Sequence, residues 1–191
     1  ARLLAKHQAL SPDIARGLLR TLAGDVLDDA HDPEQLRQRW QQLDAADRRD
    51  PHVAARAAER AVRLGAATDA RAWLRPHWET LEGTDAEARE RLARALMLAV
   101  PGIEADWLPV LESALRSHGH EPAVQAAAGL AFGERQLWGK ARQLLEPAAG
   151  DPALQPALRR MAWLAMAAMA REQGDAAAAA ACDHEAATLA G

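Results

Sequence analysis

Five positions recur together along most of this chain, and they constrain the fold more than any other feature. Ala58, Gly65, Ala70, Leu74 and His77 reappear 37 residues later as Ala95, Gly102, Trp107, Leu111 and Ala114. They return after a further 34 as Gly129, Gln136, Ala141, Leu145 and Ala148, and after 38 more as Ala167, Gly174, Ala179, Asp183 and Ala186. The columns stay mostly small, turn-forming or apolar, and a period in this range marks a supersecondary unit that cannot bury its apolar face alone. The unit reads as helix, short turn, helix. Gly129 and Ala141 would let two antiparallel helices approach closely, with Phe132 and Leu145 filling the space beside them. The composition agrees with helices: 49% of residues are hydrophobic but only 4% aromatic, alanine dominates, and Ala loses least side-chain entropy in a helix.

Upstream of the clear repeats, Ser11-Pro12-Asp13 is a strong helix start, because Ser can cap and Pro fits the first helical position. Ile14, Leu18, Leu19, Leu22, Val26 and Leu27 then follow at helical spacing to about Ala30. Asp28, Asp29 and Asp32 form an acidic turn that lacks the ligand order and glycine of a calcium loop. Asp32-Pro33-Glu34 opens a second helix carrying Leu36, Trp40 and Leu43, and Asp50-Pro51 closes it. The expectation is an all-α chain forming one helical-repeat domain over 1–191, with a degenerate first hairpin at 12–50 and repeats at 51–84, 88–121, 122–155 and 160–191. The weakest copy lies between Thr84 and His120, where Pro101-Gly102 and Trp107-Leu108-Pro109 distort the pattern.

This spacing resembles the tetratricopeptide repeat. Ala58, Ala95, Gly129 and Ala167 fall where its first helix meets its second, and Ala70, Ala141 and Ala179 where the second packs back, with Trp107 departing. Ala114, Ala148 and Ala186 match its later small position, where His77 departs. The resemblance implies a right-handed α-solenoid of about four to five antiparallel hairpins, with first helices lining the concave side. On that register His52, Glu59, Arg63, Leu92, Leu96, Leu130, Glu134, Leu164 and Arg171 point toward the concavity. Together they would form a mixed apolar and charged groove for an extended peptide or a partner helix. The alternative is that some of them only pack against adjacent hairpins.

Signals of chemistry are weak. A net charge of −4, from 27 acidic and 23 basic residues, gives no global basic field for nucleic acid. No Gly-rich phosphate loop, nucleophile elbow or zinc-helix motif is present, so neither catalytic residues nor metal ligands are expected. The seven histidines are His7, His31, His52, His77, His118, His120 and His184, and none has convincing partner spacing for a metal. Cys182 and His184 stand two apart, which on a helix does not bring them face to face. Six tryptophans are spread one or two per hairpin, suiting inter-helix packing. Arg48-Arg49 and Arg159-Arg160 read as solvated basic pairs. No run approaches the roughly 18–20 apolar residues of a membrane span.

Two segments carry a narrower resemblance. They are Leu36-Arg37-Gln38-Arg39-Trp40-Gln41-Gln42-Leu43, running on to Arg48-Arg49-Asp50-Pro51, and Gly129-Leu130-Ala131-Phe132 leading into Leu137-Trp138-Gly139-Lys140-Ala141-Arg142-Gln143-Leu144-Leu145-Glu146. Both look like the C-terminal repeat domain of the HemY-type membrane-anchored haem biosynthesis protein family, and Trp138, Gly139 and Lys140 are the most distinctive residues. That resemblance implies a non-catalytic protein-interaction scaffold associated with late protohaem synthesis. Its partners would be haem-pathway enzymes at the bacterial inner membrane. An upstream hydrophobic anchor would precede Ala1, and the cytoplasmic face is preferred to the periplasmic. It implies no resident cofactor. The alternatives are a direct haem or porphyrin carrier using one of the histidines, and a general adaptor in envelope assembly.

Overall fold

The computed structural model describes residues 11–189, which form eleven α-helices and two short 3-10 turns, with no strand among them. His7 lies outside the described residues. In chain order the helices are α1 Pro12–Asp28, α2 Pro33–Gln42, α3 Ala45–Arg48, α4 Pro51–Arg63, α5 Ala67–Glu79, α6 Ala86–Ala99, α7 Leu108–His118, α8 Pro122–Glu134, α9 Trp138–Gly150, α10 Pro156–Glu172 and α11 Ala176–Thr188.

Helix starts follow directly from capping chemistry. Ser11, Asp32, Asp50, Asp85 and Asp175 each accept a hydrogen bond from a first-turn backbone N–H through the side chain, and Pro12, Pro33 and Pro51 follow three of them. Such caps satisfy donors that the helix itself leaves orphaned. Pro156 likewise opens α10, so the last pair begins four residues ahead of the boundary at 160.

The turns inside the four later helix pairs share one feature. Among the described residues, positive φ occurs at Gly65 (77°), Gly102 (74°), Gln136 (58°) and Gly174 (75°), and these four make up a single repeat column. At three of them the next residue's N–H reaches back to the carbonyl five positions earlier: Ala66 to Ala61 at 2.8 Å, Leu137 to Phe132 at 2.9 Å and Asp175 to Ala170 at 2.9 Å. This is the Schellman closure, which requires a left-handed residue at the turn.

Packing follows the same period. Helices α1, α4, α6, α8 and α10 contact one another in succession, while α4–α5, α8–α9 and α10–α11 pack closely as pairs. In the third clear pair Gly129 is buried, and Ala141 and Leu145 have no exposed surface. A Cβ added at Gly129 would stand 2.7 Å from Leu145 Cγ and 3.3 Å from the Ala141 carbonyl, so only glycine permits the observed approach. The exception is α6–α7. There Trp107 occupies the small-residue column, 4% exposed, and α7 packs on α5 and α8 rather than on its own partner. In the first pair Trp78 is buried where the column predicts position 77, leaving His77 half-buried.

Polar ties join consecutive pairs. Arg20 Nε donates to Asp50 at 2.8 Å, Arg37 Nε to Asp69 at 2.9 Å and Arg89 Nε to Glu121 at 2.9 Å. Arginines also cap carbonyls that helix ends leave free. Arg71, 8% exposed, donates to the Ala99 and Pro101 carbonyls at 2.8 Å each and to Thr68 Oγ1 at 3.2 Å. Arg60 reaches Ala30, and Arg159 reaches Ala149 at 2.8 Å. A rigid fork of donors suits this role better than a lysine ammonium would.

Candidate partner-binding face

The first helices of successive pairs contact one another in turn, and they line two depressions. The N-terminal one, about 520 Å³, gathers His52, Glu59 and Arg63 with Arg20, Asp28, Arg56, Glu87 and Arg91. Its charges are largely satisfied from within. Arg56 donates to Asp28 from Nε at 3.0 Å, Arg63 lies 3.6 Å from Asp28, and Arg94 stands 3.3 Å from Glu59. The Asp28 hydrogen bond, opposed by burial, holds the Arg56 guanidinium above its ordinary pKa. A Cβ at Gly24 would meet the Arg56 guanidinium, so that flexible side chain would have to shift to admit one. Burial, followed by the nearby Arg20 charge, pushes His52 below 6.5.

The C-terminal depression differs in character. About 340 Å³ in volume, it is lined by Met97, Val100, Leu130, Trp138, Leu145, Ala165 and Met169, with Glu134 and Glu172 as its charged residues. It spans the C-terminal ends of three successive first helices, α6, α8 and α10. Glu134 is held in place by accepting the Gly102 backbone N–H at 2.8 Å. Two thioethers give the lining an adaptable shape.

The expected groove therefore divides into residues that reach the face and residues that do not. His52, Glu59 and Arg63 meet in one depression, and Leu130 and Glu134 in the other. Leu92 and Leu96 do not belong to it. Both are 0% exposed, packed in the core between pairs, so the reading that places them in the groove is corrected. On a helix one position is about 100° of rotation, enough to turn a side chain from the groove into the seam. Leu164 is 37% exposed, and Arg171 turns to Asp183 on α11 within its own hairpin.

Trp138, Gly139 and Lys140 separate in the same way. Trp138 is half-buried, packs on the core and lines the apolar depression. A Cβ at Gly139 meets nothing within 4 Å, so packing does not require glycine there. Lys140 lies on the second-helix side, with Nζ 2.7 Å from Glu112 and 5.5 Å from the Phe132 ring centroid. The Lys140 hydrogen bond lowers the Glu112 pKa.

Sequence reasoning did not single out Met97, Arg56 or Arg71. Arg71 had a signal in retrospect, being a charged residue immediately after the buried Ala70, but its carbonyl partners lie about 30 residues away. The histidines stay dispersed. His118 and His120 ring centroids are 6.5 Å apart, and among the described residues no group of three His, Cys, Asp or Glu side chains is placed to hold a metal. Cys182 is half-buried, and burial raises its thiol pKa. No described helix is long and apolar enough to cross a membrane.

Compared with models of protein families, with curated proteins and with solved structures, the chain gives no match.

Proposed function

We propose that the chain is a tetratricopeptide-like, right-handed α-solenoid acting as a non-catalytic protein-interaction scaffold. Its first helices line a concave groove that holds an extended peptide or a partner helix. One observation carries this reading: an apolar depression, containing Leu130 and Trp138, stands open across three successive first helices. Core side chains of a soluble stack would normally close such a surface, and exposed apolar clefts rimmed by polar groups mark interaction sites. The charged N-terminal depression would orient the partner, because satisfied ion pairs supply register and specificity more than raw affinity. The resemblance of the Leu36–Leu43 and Gly129–Glu146 segments to the HemY family supports seeking that partner among haem-pathway enzymes at the bacterial inner membrane.

The test is affinity capture from membranes with three forms of the protein. Leu130→Asp places a charge in the apolar depression, whereas Gln143→Asp adds the same charge on the exposed second-helix side. The expected result is loss of the captured partner with Leu130→Asp and retention with Gln143→Asp, at unchanged helical content. Undiminished capture by a folded Leu130→Asp protein rejects the groove.

A further inference from the structure

On the opposite side of the first two pairs lies a pocket that the groove does not explain. About 630 Å³ in volume, it is formed by α2, the short α3 and α5, and its walls include Trp40, Trp73, Arg48, Arg49, His77 and Thr80. That volume falls within the range of about 300–1,000 Å³ typical of small-molecule sites.

Three features converge on one ligand chemistry. Trp40 and Trp73 stack with centroids 4.9 Å apart and planes inclined by 24°, so each covers one face of the other and the pair forms a single aromatic corner of the pocket. Both rings are only half-buried, although Trp is a residue whose full burial would contribute strongly to stability. The pocket's formal charges are all positive: Arg48 and Arg49 line it and no carboxylate does. This contrasts with a chain of net charge −4. Finally, the Arg48 Nε is buried without a hydrogen-bond partner, while its neighbour Arg49 spends its Nε on the Ala45 carbonyl at 3.1 Å. A buried guanidinium N–H left unpaired is costly unless an acceptor enters the site. His77 lies at the same side of the pocket, where burial lowers its pKa against the opposing effect of a hydrogen bond to the Arg48 backbone. Arg48-Arg49, read from sequence as a solvated basic pair, thus has one member half-buried at this pocket.

We propose that this pocket binds a small planar aromatic anion, with its ring against the Trp40–Trp73 stack and its carboxylate or phosphate between Arg48 and Arg49. Trp supplies a face for stacking, and guanidinium groups match the geometry of carboxylate and phosphate. The site lies on the second-helix side and is independent of partner docking on the first-helix face.

Saturation-transfer NMR on the full chain tests it with matched probes. Adenosine monophosphate and indole-3-acetate carry ring and anion together, adenosine and indole-3-acetamide carry the ring alone, and inorganic phosphate and acetate carry the anion alone. The expected result is binding of at least one ring-anion probe, weaker by about tenfold or more for its ring-only and anion-only counterparts. The double variant R48Q/R49Q should lose that preference, and Trp73→Leu should lose binding altogether. R48Q/R49Q removes no core side chain, so it keeps the test decisive if Trp73→Leu unfolds the first pairs, which far-UV circular dichroism would show. Binding that is equal across the probes, absent for both ring-anion probes, or unchanged in R48Q/R49Q overturns the proposal. Leu130→Asp is expected to bind as the unsubstituted protein does, and loss there would assign the signal to the groove.

Discussion

Replacing Gly129 with alanine is the sharpest single perturbation of the stack. At an open helical position the change stabilises by about 1 kcal/mol, because glycine gives up more backbone freedom on folding. At 129 the new Cβ would stand 2.7 Å from Leu145 Cγ, 2.9 Å from its Cδ2 and 3.3 Å from the Ala141 carbonyl. Carbon atoms in comfortable contact lie about 3.5–4.0 Å apart, so the overlap with Leu145 approaches about 1 Å. Leu145 is 0% exposed, and the Ala141 carbonyl on the same side is backbone that cannot swing away. Helices α8 and α9 must then part, at a cost of about 1–3 kcal/mol for overpacking. The steric term outweighs the propensity gain, and a net loss of up to about 2 kcal/mol is expected. Leu145→Ala alone should cost about 2–5 kcal/mol, yet less in the Gly129→Ala background, because the added methyl fills part of the vacated space. The coupling should lie between about 0.5 and 3 kcal/mol. Urea denaturation of the four proteins, followed by far-UV circular dichroism, measures both quantities. A Gly129→Ala midpoint at or above that of the unsubstituted protein, or strict additivity with Leu145→Ala, refutes the close-approach argument.

Other consequences are equally accessible. Arg71→Met should destabilise by about 1–3 kcal/mol, because the Ala99 and Pro101 carbonyls lose their donor. Faster amide exchange around residues 100–103 would accompany the loss, and unchanged exchange there would speak against the cap. Gln136→Gly should stabilise by about 1 kcal/mol by relieving a left-handed residue, while Gly65→Ala should cost a similar amount; thermal melts of the pair decide the sign. Burial holds His52 and His77 below their ordinary 6.5, so the unfolded chain takes up these protons first as pH falls. Their contribution to stability is therefore fully present above about pH 6.5 and is lost as pH drops through the folded values. The urea midpoint should fall between about pH 7 and pH 5 less steeply in a His52→Gln/His77→Gln protein, and identical slopes would contradict that assignment.

Local chemistry was more legible in the sequence than orientation. Ser-Pro and Asp-Pro pairs announced helix starts because capping uses side chains adjacent in the chain. The turn column was legible from spacing, but its left-handed conformation was not, least of all at Gln136, where residue identity argues against it. The close approach of Gly129 to α9 followed from two small residues at matched repeat positions. Leu92 and Leu96 were misplaced because abundant alanine flattens the contrast between helix faces. Helix α8 is extreme in this respect, with nine of its thirteen residues buried. Trp107 was visible as a departure, but not its consequence, since a bulky residue in a small column redirects α7 toward other helices. The arginine caps were illegible for a simpler reason: their acceptors are backbone carbonyls in another repeat, and no residue type marks them. The Trp40–Trp73 stack joins two repeats in the same way.

The proposed function places a partner along the first-helix face, anchored in the depression around Leu130 and Trp138. Hydrogen–deuterium exchange of the full chain, with and without the partner recovered by membrane capture, measures this most directly. The account predicts slower exchange concentrated at the C-terminal ends of α6, α8 and α10 and in the Gln136–Trp138 turn, with α7 and the outer side of α9 unchanged. Protection confined to α7 and α9, with none at those three helix ends, would contradict it.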